Sequence, residues 1–434
     1  MAPVTMILRG VGWPESYTLD MARRLLATAC LLAALSLSAP AKMPLDEFHT
    51  RRANLQKSLD GVVLLAWQTE GRDAVFRFEQ EPDFYYLTGW TQPGAILLMT
   101  PSQAILFLPH HSDRRELYTG KRSSAEDPDV HALTGFEEVL PIERLEVELD
   151  KALSARDKVY ALWGQPSSDQ LRARYPFREV MDATALITKL RVKKSPAEIA
   201  AIQHATDVSV EAHRAAWKRI AAGAYEYQIA ATMVASFLEN ACEGAAYSPI
   251  VGSGPNSTIL HYDVNERRMD RGEVVLIDAA AECDGYASDI TRTIPVGGKF
   301  SPRQREIYQI VLGAQKAAIA AVKPGARLAG DGETLTKVAR DYMDAHGKDR
   351  HGEPLGKYFT HGIGHQVGLQ VHDPNVEEPL EAGMVITIEP GIYISEENIG
   401  VRIEDVVLVT ENGAKVLSAA LVKETDQIEK AVSK

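Results

Sequence analysis

Val274-Val275-Leu276-Ile277-Asp278, followed by Asp284-Gly285-Tyr286 and then by Asp289-Ile290-Thr291-Arg292-Thr293, is the stretch on which the fold of this chain turns. An apolar run, an Asp-Gly pair and a β-branched run form the short-range pattern of a β-hairpin with a two-residue turn. A turn at Asp284 and Gly285 sets residue 283 opposite 286 and Asp289 opposite Ala280. Asp278 and Asp289 then project from one face as diagonal neighbours, with Cβ atoms about 7 Å apart or less. Two carboxylates held that close beside apolar strand are costly to ionise together, so a proton or a cation must accompany them.

Three further segments supply partners for such a pair. His361-Gly362-Ile363-Gly364-His365 sets two imidazoles four residues apart; its glycines argue against a plain helix, and in an extended segment positions i and i+4 share a face. Val385-Ile386-Thr387-Ile388-Glu389-Pro390-Gly391 reads as a buried strand ending at a carboxylate, where proline stops the ladder. Gly400 through Leu408 reads as another strand, with Arg402 and Glu404 on one face by the two-residue period. Four carboxylates and one histidine, without thiolate, suit two hard or borderline divalent ions, Mn²⁺ first, with Co²⁺ or Zn²⁺ as alternatives. The charges balance, four negative against four positive.

In the order Asp278, Asp289, His365, Glu389, Glu404 these residues resemble the five-ligand signature of the dinuclear pita-bread metallopeptidases, the family of methionine aminopeptidase, prolidase and aminopeptidase P. Ile250 to Gly254, Ile259-Leu260-His261-Tyr262, the aspartate hairpin, Lys299 to Tyr308 and Asn398 to Asp405 are most similar to the Xaa-Pro aminopeptidase group, and the similarity runs from about Leu45 to the end of the chain. The resemblance implies an α+β protein: a pita-bread catalytic domain of two similar helix-plus-hairpin halves, preceded by a smaller α/β domain. It implies that Asp278 binds one ion in a bidentate manner, that His365 and Glu389 serve the other, and that Asp289 and Glu404 bridge them, with a bridging hydroxide as nucleophile. It makes Glu389 the general base or proton shuttle. It further implies that His261, His361 and His372 meet the substrate proline, its carbonyl and the leaving nitrogen, and that Arg402 supports the metal shell beside the substrate. Without it, a single histidine near a strand end is more often a satisfied structural residue.

The function so implied is hydrolysis of the N-terminal Xaa-Pro peptide bond by a metalloaminopeptidase acting on peptides with proline in second position. One rival is a prolidase, confined to Xaa-Pro dipeptides. Another is a non-catalytic pita-bread binding module, which would have lost ligands, whereas all five positions are filled here.

At 434 residues the chain exceeds one usual domain, and 45% hydrophobic with 24% charged residues is ordinary for a well-cored soluble protein. A net charge of −12, with Lys and Arg scattered, argues against nucleic acid or an anionic membrane surface as main partner. Three cysteines make no disulfide framework, and Cys283, pointing away from the carboxylate face, reads as core packing. Met21-Ala22-Arg23-Arg24, the leucine- and alanine-rich run Leu25 to Leu37, and Ala39-Pro40-Ala41 have the pattern of a secretory signal peptide cleaved after Ala41, with Met21 as an alternative start. The run is shorter than the ~20 apolar residues of a membrane span, so export to the periplasm or the medium is expected, without a stable membrane anchor.

The chain accordingly divides into a targeting segment (1–41), an N-terminal domain (42–190) and a catalytic domain (191–434). The first folded part reads as a helix from Glu47 to Leu59, with strands at Gly61–Ala66, Ala95–Met99, Ala104–Leu108 and Val159–Trp163. Asp83-Phe84-Tyr85-Tyr86-Leu87-Thr88-Gly89 resembles a recurring stretch of the aminopeptidase P and prolidase N-terminal domain, and Phe84 and Tyr86 read as core. Leu117 to Arg122 stands where many aminopeptidases P have a Trp-x-Gly-Arg-Arg stretch reaching a neighbouring subunit; Tyr118 and Lys121 replace the Trp and one Arg. A homo-oligomer, dimer or tetramer, is the expectation. At the boundary, Arg191-Val192-Lys193-Lys194 precedes Ser195, Pro196 and Glu198, which fit the N-cap, N1 and N3 places of a capping box. Helices are expected from there, from Tyr225 to Ala241, from Ser301 to Ala321 and from Gly332 to His346, with His261 on an intervening strand. Helices alternating with antiparallel strand pairs predict α+β layering.

Overall fold

A computed structural model describes residues 43–65, 78–163, 165–374 and 379–433, so the targeting segment read at residues 1–41 lies outside the described residues. Among the described residues no helix is long and apolar enough to cross a membrane.

Short apolar runs build the first lobe as one mixed sheet. Its strands are β1 (Val62–Leu65), β2 (Ile96–Thr100), β3 (Gln103–Leu108), β4 (Glu138–Pro141), β5 (Lys158–Ala161) and β6 (Glu179–Asp182), in the order β4-β3-β2-β1-β5-β6. The central strands are buried on both faces, as their unbroken apolar sequences require. Helix α1 (Leu45–Ser58) and the short α2 (Pro82–Thr88) cover one face, and Phe84 and Tyr86 are core as expected. Helix α3 (Thr184–Arg191) leads to the second lobe.

That lobe opens with α4 (Pro196–Trp217), whose capping box is formed in both directions: Ser195 Oγ accepts from Glu198 N at 3.2 Å, and Glu198 Oε2 accepts from Ser195 N at 3.0 Å. Helix α5 (Glu226–Glu239) packs on α4, as α6 (Pro302–Ala321) packs on α7 (Leu335–His346). Each helix pair backs antiparallel strands. In the first half these are β7 (Gly244–Ala245), β8 (Ile250–Ser253), β9 (Val274–Asp278), β10 (Ala281–Cys283), β11 (Tyr286–Ala287) and β12 (Thr291–Pro295). In the second they are β13 (Val385–Ile388), β14 (Gly391–Ile394), β15 (Ile399–Arg402), β16 (Asp405–Thr410) and β17 (Gly413–Val416). A large apolar core fills the lobe, and a second cluster joins Leu55, Tyr86 and Ile187 of the first lobe to Tyr286, Val367 and Val406 of the second.

The hairpin register is the one expected. Asp284 and Gly285 have φ of 53° and 76°, the pair of positive values that a type I′ turn demands, and Cys283 pairs with Tyr286. The same register continues to Asp278 opposite Thr291.

Three expectations need correction. The strand read from Gly400 to Leu408 is two strands: β15 pairs with β14, while β16 pairs with β13 and β17. Fully buried Arg292 holds the break, donating to the carbonyls of Thr291 and Glu404 and to Asp405 Oδ1 at 2.9, 2.6 and 2.7 Å. His261 lies in a turn rather than on a strand, because Asn265 folds that segment back with its side chain on Val251 N and Pro249 O. Cys283 is not simply core packing, and the cysteines do make a disulfide, between Cys242 and Cys283. β10 pairs with β7, Glu282 beside Gly244, which carries the residue just past α5 across to the hairpin. Nothing local in the sequence announces that pairing.

Candidate metal centre

The aspartates stand where two strand ends meet. Asp278 closes β9 and Asp289 precedes β12, so the hairpin delivers both carboxylates to one buried spot. Glu389 follows β13 directly, and Glu404 occupies the break held by Arg292. The segment before Val367 is extended along β13: Glu389 N donates to Ile363 O at 2.8 Å and Thr387 N to His365 O at 2.9 Å. Gly364 permits that approach, since a Cβ there would overlap the Thr387 carbonyl. His361 and His365 consequently face the same side.

All nine residues singled out above, His261, Asp278, Asp289, His361, His365, His372, Glu389, Arg402 and Glu404, line one cavity of about 420 Å³. Donor atoms of Asp289, His365 and Glu404 lie within 4.8 Å of one another. His365 Nε2 is 3.4 Å from Asp289 Oδ2 and 3.5 Å from Glu389 Oε1. Its Nδ1 donates to the Gln366 carbonyl at 3.0 Å, which fixes the ring and turns Nε2 towards the carboxylates, the nitrogen that would offer its lone pair to a cation once deprotonated. Hydroxyls orient the acids from behind: Thr291 Oγ1 donates to Glu404 Oε2 at 2.6 Å and Thr387 Oγ1 to Glu389 Oε1 at 3.2 Å.

The electrostatics follow from placing four carboxylates together in one largely buried cleft. Burial pushes Glu404 well above the ordinary range, with Asp289 and Glu389 adding repulsion. Burial likewise raises Asp289, and raises Glu389 to about 7. Burial alone would lower His365, yet the hydrogen bond and charge of Asp289, with Glu389 behind, lift it to about 9. Burial and then the Arg402 charge lower His361 to about 4, so that ring is neutral. A cluster that takes up protons in this way is one whose negative charge exceeds what the protein supplies, and cations are the alternative compensation. Carboxylate oxygens with one imidazole fit hard or borderline divalent ions.

Tyr247 was not anticipated. Its buried hydroxyl is 2.5 Å from Asp278 Oδ1 and 2.6 Å from Asp289 Oδ1. One phenolic proton cannot serve two ionised acceptors, which again asks for a proton or cation between the aspartates. Its position depends on β8 pairing Ile250 with Asp278, a long-range register that no local pattern encodes. Arg402 supports the carboxylate shell as expected, its Nη2 donating to Asp278 Oδ2 at 2.5 Å; its link through Nη1 to Tyr393 Oη at 2.9 Å, and from that hydroxyl to His361 Nε2 at 2.8 Å, was not anticipated.

Comparison with known proteins identifies the family. The profile of metallopeptidase family M24 matches residues 200–411, and that of the aminopeptidase P N-terminal domain matches residues 48–160. The chain is 34% identical over 429 residues to an Xaa-Pro aminopeptidase of Haemophilus influenzae, covering 91% of this chain and 99% of that one. It is 34% identical over 357 residues to an Xaa-Pro dipeptidase of Pyrococcus horikoshii, covering 80% and 92%. A solved structure of aminopeptidase P from Escherichia coli with the inhibitor Pro-Leu superposes with a TM-score of 0.81 at 31% identity, over 90% of this chain and 99% of that one. The chain belongs to metallopeptidase family M24, in its aminopeptidase P group.

Proposed function

We propose that this protein is a metal-dependent exopeptidase that removes the N-terminal residue from peptides with proline in second position. The observation that carries the reading is the convergence of four carboxylates and one fixed imidazole on a single cavity. Asp278, Asp289, His365, Glu389 and Glu404 would hold two divalent ions, Mn²⁺ being our choice for a donor set of oxygens and one nitrogen. When bound, such ions polarise a carbonyl and bring the pKa of a water towards neutrality.

The chain's own groups complete the chemistry. Glu389, steadied by Thr387 Oγ1, takes a proton at its carboxylate edge and returns it to the leaving nitrogen. His261 and His372 stand on the cavity wall to meet the scissile carbonyl and that nitrogen. Neutral His361, whose Nδ1 is engaged by Gly362 O at 2.8 Å, is aligned by the Arg402–Tyr393 chain beside the substrate. Ile250, Leu260 and Val371 give the cavity an apolar wall suited to a pyrrolidine ring. The Xaa-Pro bond is a tertiary amide with no N–H, so recognition by ring shape is the available means.

Two further readings complete the proposal. Export is supported by the Cys242–Cys283 disulfide, which belongs to oxidising compartments. Self-association is supported by the helix Asp113–Thr119, which buries none of its residues and leaves Leu117 and Tyr118 exposed. Metal analysis combined with a chelator-and-rescue assay on an Xaa-Pro-Yaa peptide tests the central reading. Cleavage of Xaa-Pro dipeptides alone would replace it by the dipeptidase, and metal binding without any cleavage by the binding module.

A further inference from the structure

Two stretches marked in the sequence, Asp83 to Gly89 and Arg191 to Ser195, take no part in the chemistry above, yet they meet Asp373, the residue after His372, at one buried cluster of charges. Arg191 Nη1 is 2.7 Å from Asp83 Oδ1, and its Nη2 is 2.5 Å from Asp373 Oδ1 and 3.0 Å from Gln370 Oε1. Lys194 Nζ reaches Asp373 Oδ2 at 3.0 Å. All four charged side chains are at most 7% exposed, and the two cations balance the two carboxylates. Asp83 lies on α2 of the first lobe, Arg191 ends α3, and Asp373 directly follows His372 on the cavity wall.

The loop before Asp373 is folded around that carboxylate. Asp373 N donates to Gln366 O at 3.0 Å, closing the loop at its base. Gln370 N donates to Asp373 Oδ1 at 3.3 Å, and Gly368 leaves room for the carboxylate where a Cβ would stand 2.6 Å from Oδ2. Gly368 O in turn accepts from Ala287 N of the aspartate hairpin at 2.8 Å. His372 lies on this loop with its ring 4.1 Å from that of His365, and among the described residues no side-chain hydrogen bond restrains it. Its place is therefore set from its backbone, and the backbone is set by what grips Asp373.

We infer that Asp83, Arg191 and Lys194 are positioning residues that hold His372 in the cavity through Asp373, so that the first lobe sets the geometry of the catalytic wall. Arg191 suits the task because its planar fork engages two carboxylates in fixed directions, which a lysine cannot reproduce. The inference rests on the peptidase reading, and on His372 meeting the substrate in it. Asp83 is the informative end of the chain, since it belongs to the other lobe and lines no part of the cavity.

The test is a pair of double-mutant cycles on the metal-loaded enzyme with an Xaa-Pro-Yaa peptide, combining Asp83→Asn or Arg191→Lys with His372→Ala. Each network variant should keep its two metal equivalents and nearly unchanged KM while kcat falls roughly threefold to tenfold or more. In the His372→Ala background the same changes should cost almost nothing further, because the residue they act through is gone. Full additivity in both cycles, or single variants with unchanged kcat, would overturn the inference. A network variant that loses metal or raises KM in proportion to its rate loss would do so too, since either points to general loosening of the fold. Absence of turnover in the loaded wild type would instead defeat the peptidase reading, and that is seen before any variant is made.

Discussion

Stripping the divalent ions and then raising the pH should expose the electrostatic tension of the cavity. In the ion-free protein burial raises Glu389 from 4.5 to about 7. His365 rises from 6.5 to about 9 because Asp289 and Glu389 outweigh its burial. A carboxyl raised by folding costs stability as pH climbs from 4.5 to about 7, since the unfolded chain ionises first. An imidazole raised by folding contributes stability that is fully present below 6.5 and lost as pH climbs through about 9. Both steps have the same sign, and each is worth about 3 kcal/mol at ~1.4 kcal/mol per pH unit. The two groups face each other at 3.5 Å and titrate as a pair, so we take a single step, about 3 kcal/mol, as the smallest loss expected. For a lobe of this size that corresponds to a fall in Tm of about 6–12 °C between pH ~5 and pH ~9. With ions bound the carboxylates are already deprotonated and the imidazole nitrogen is engaged, so the fall should largely vanish. Melting curves of chelated and Mn²⁺-loaded protein across that range make the comparison. A chelated protein whose Tm stays level or rises with pH would refute the reasoning.

Other variants probe separate parts of the structure. Asp289→Ala removes the carboxylate shared by Tyr247 and His365 and should abolish both metal content and turnover; retained Mn²⁺ with near-normal rates, by elemental analysis and assay, would count against the metal centre. Tyr247→Phe removes the hydroxyl lying between the aspartates and should weaken metal binding about 10–100-fold in a competitive chelator titration, as loss of a ligand-orienting partner does. The disulfide joins residues 41 apart, and its replacement by Cys242→Ser with Cys283→Ser should cost about 4 kcal/mol of stability in denaturant melts, with wild type under strong reductant behaving alike.

How much was legible beforehand differs from residue to residue. The Asp-Gly turn set a register that carried Asp278 and Asp289 together, because a two-residue loop leaves a hairpin one pairing. Spacing put His361 and His365 on one side, and the Ser195 box opened its helix where expected, since caps and periodicities act over a few residues. What needed tertiary structure was every pairing between distant segments. Tyr247 joins the aspartates only because β8 lies along β9. Cys242 meets Cys283 only because β7 lies along β10, and Glu404 falls in a break between strands that Arg292 holds from another sheet. Asp83, Arg191 and Asp373 likewise share a buried cluster although long stretches of chain separate them. Local pattern fixes which face a side chain takes on its own element. Which elements lie against one another is decided by packing and by the need of buried charges for partners, and those costs arise only when the chain is folded.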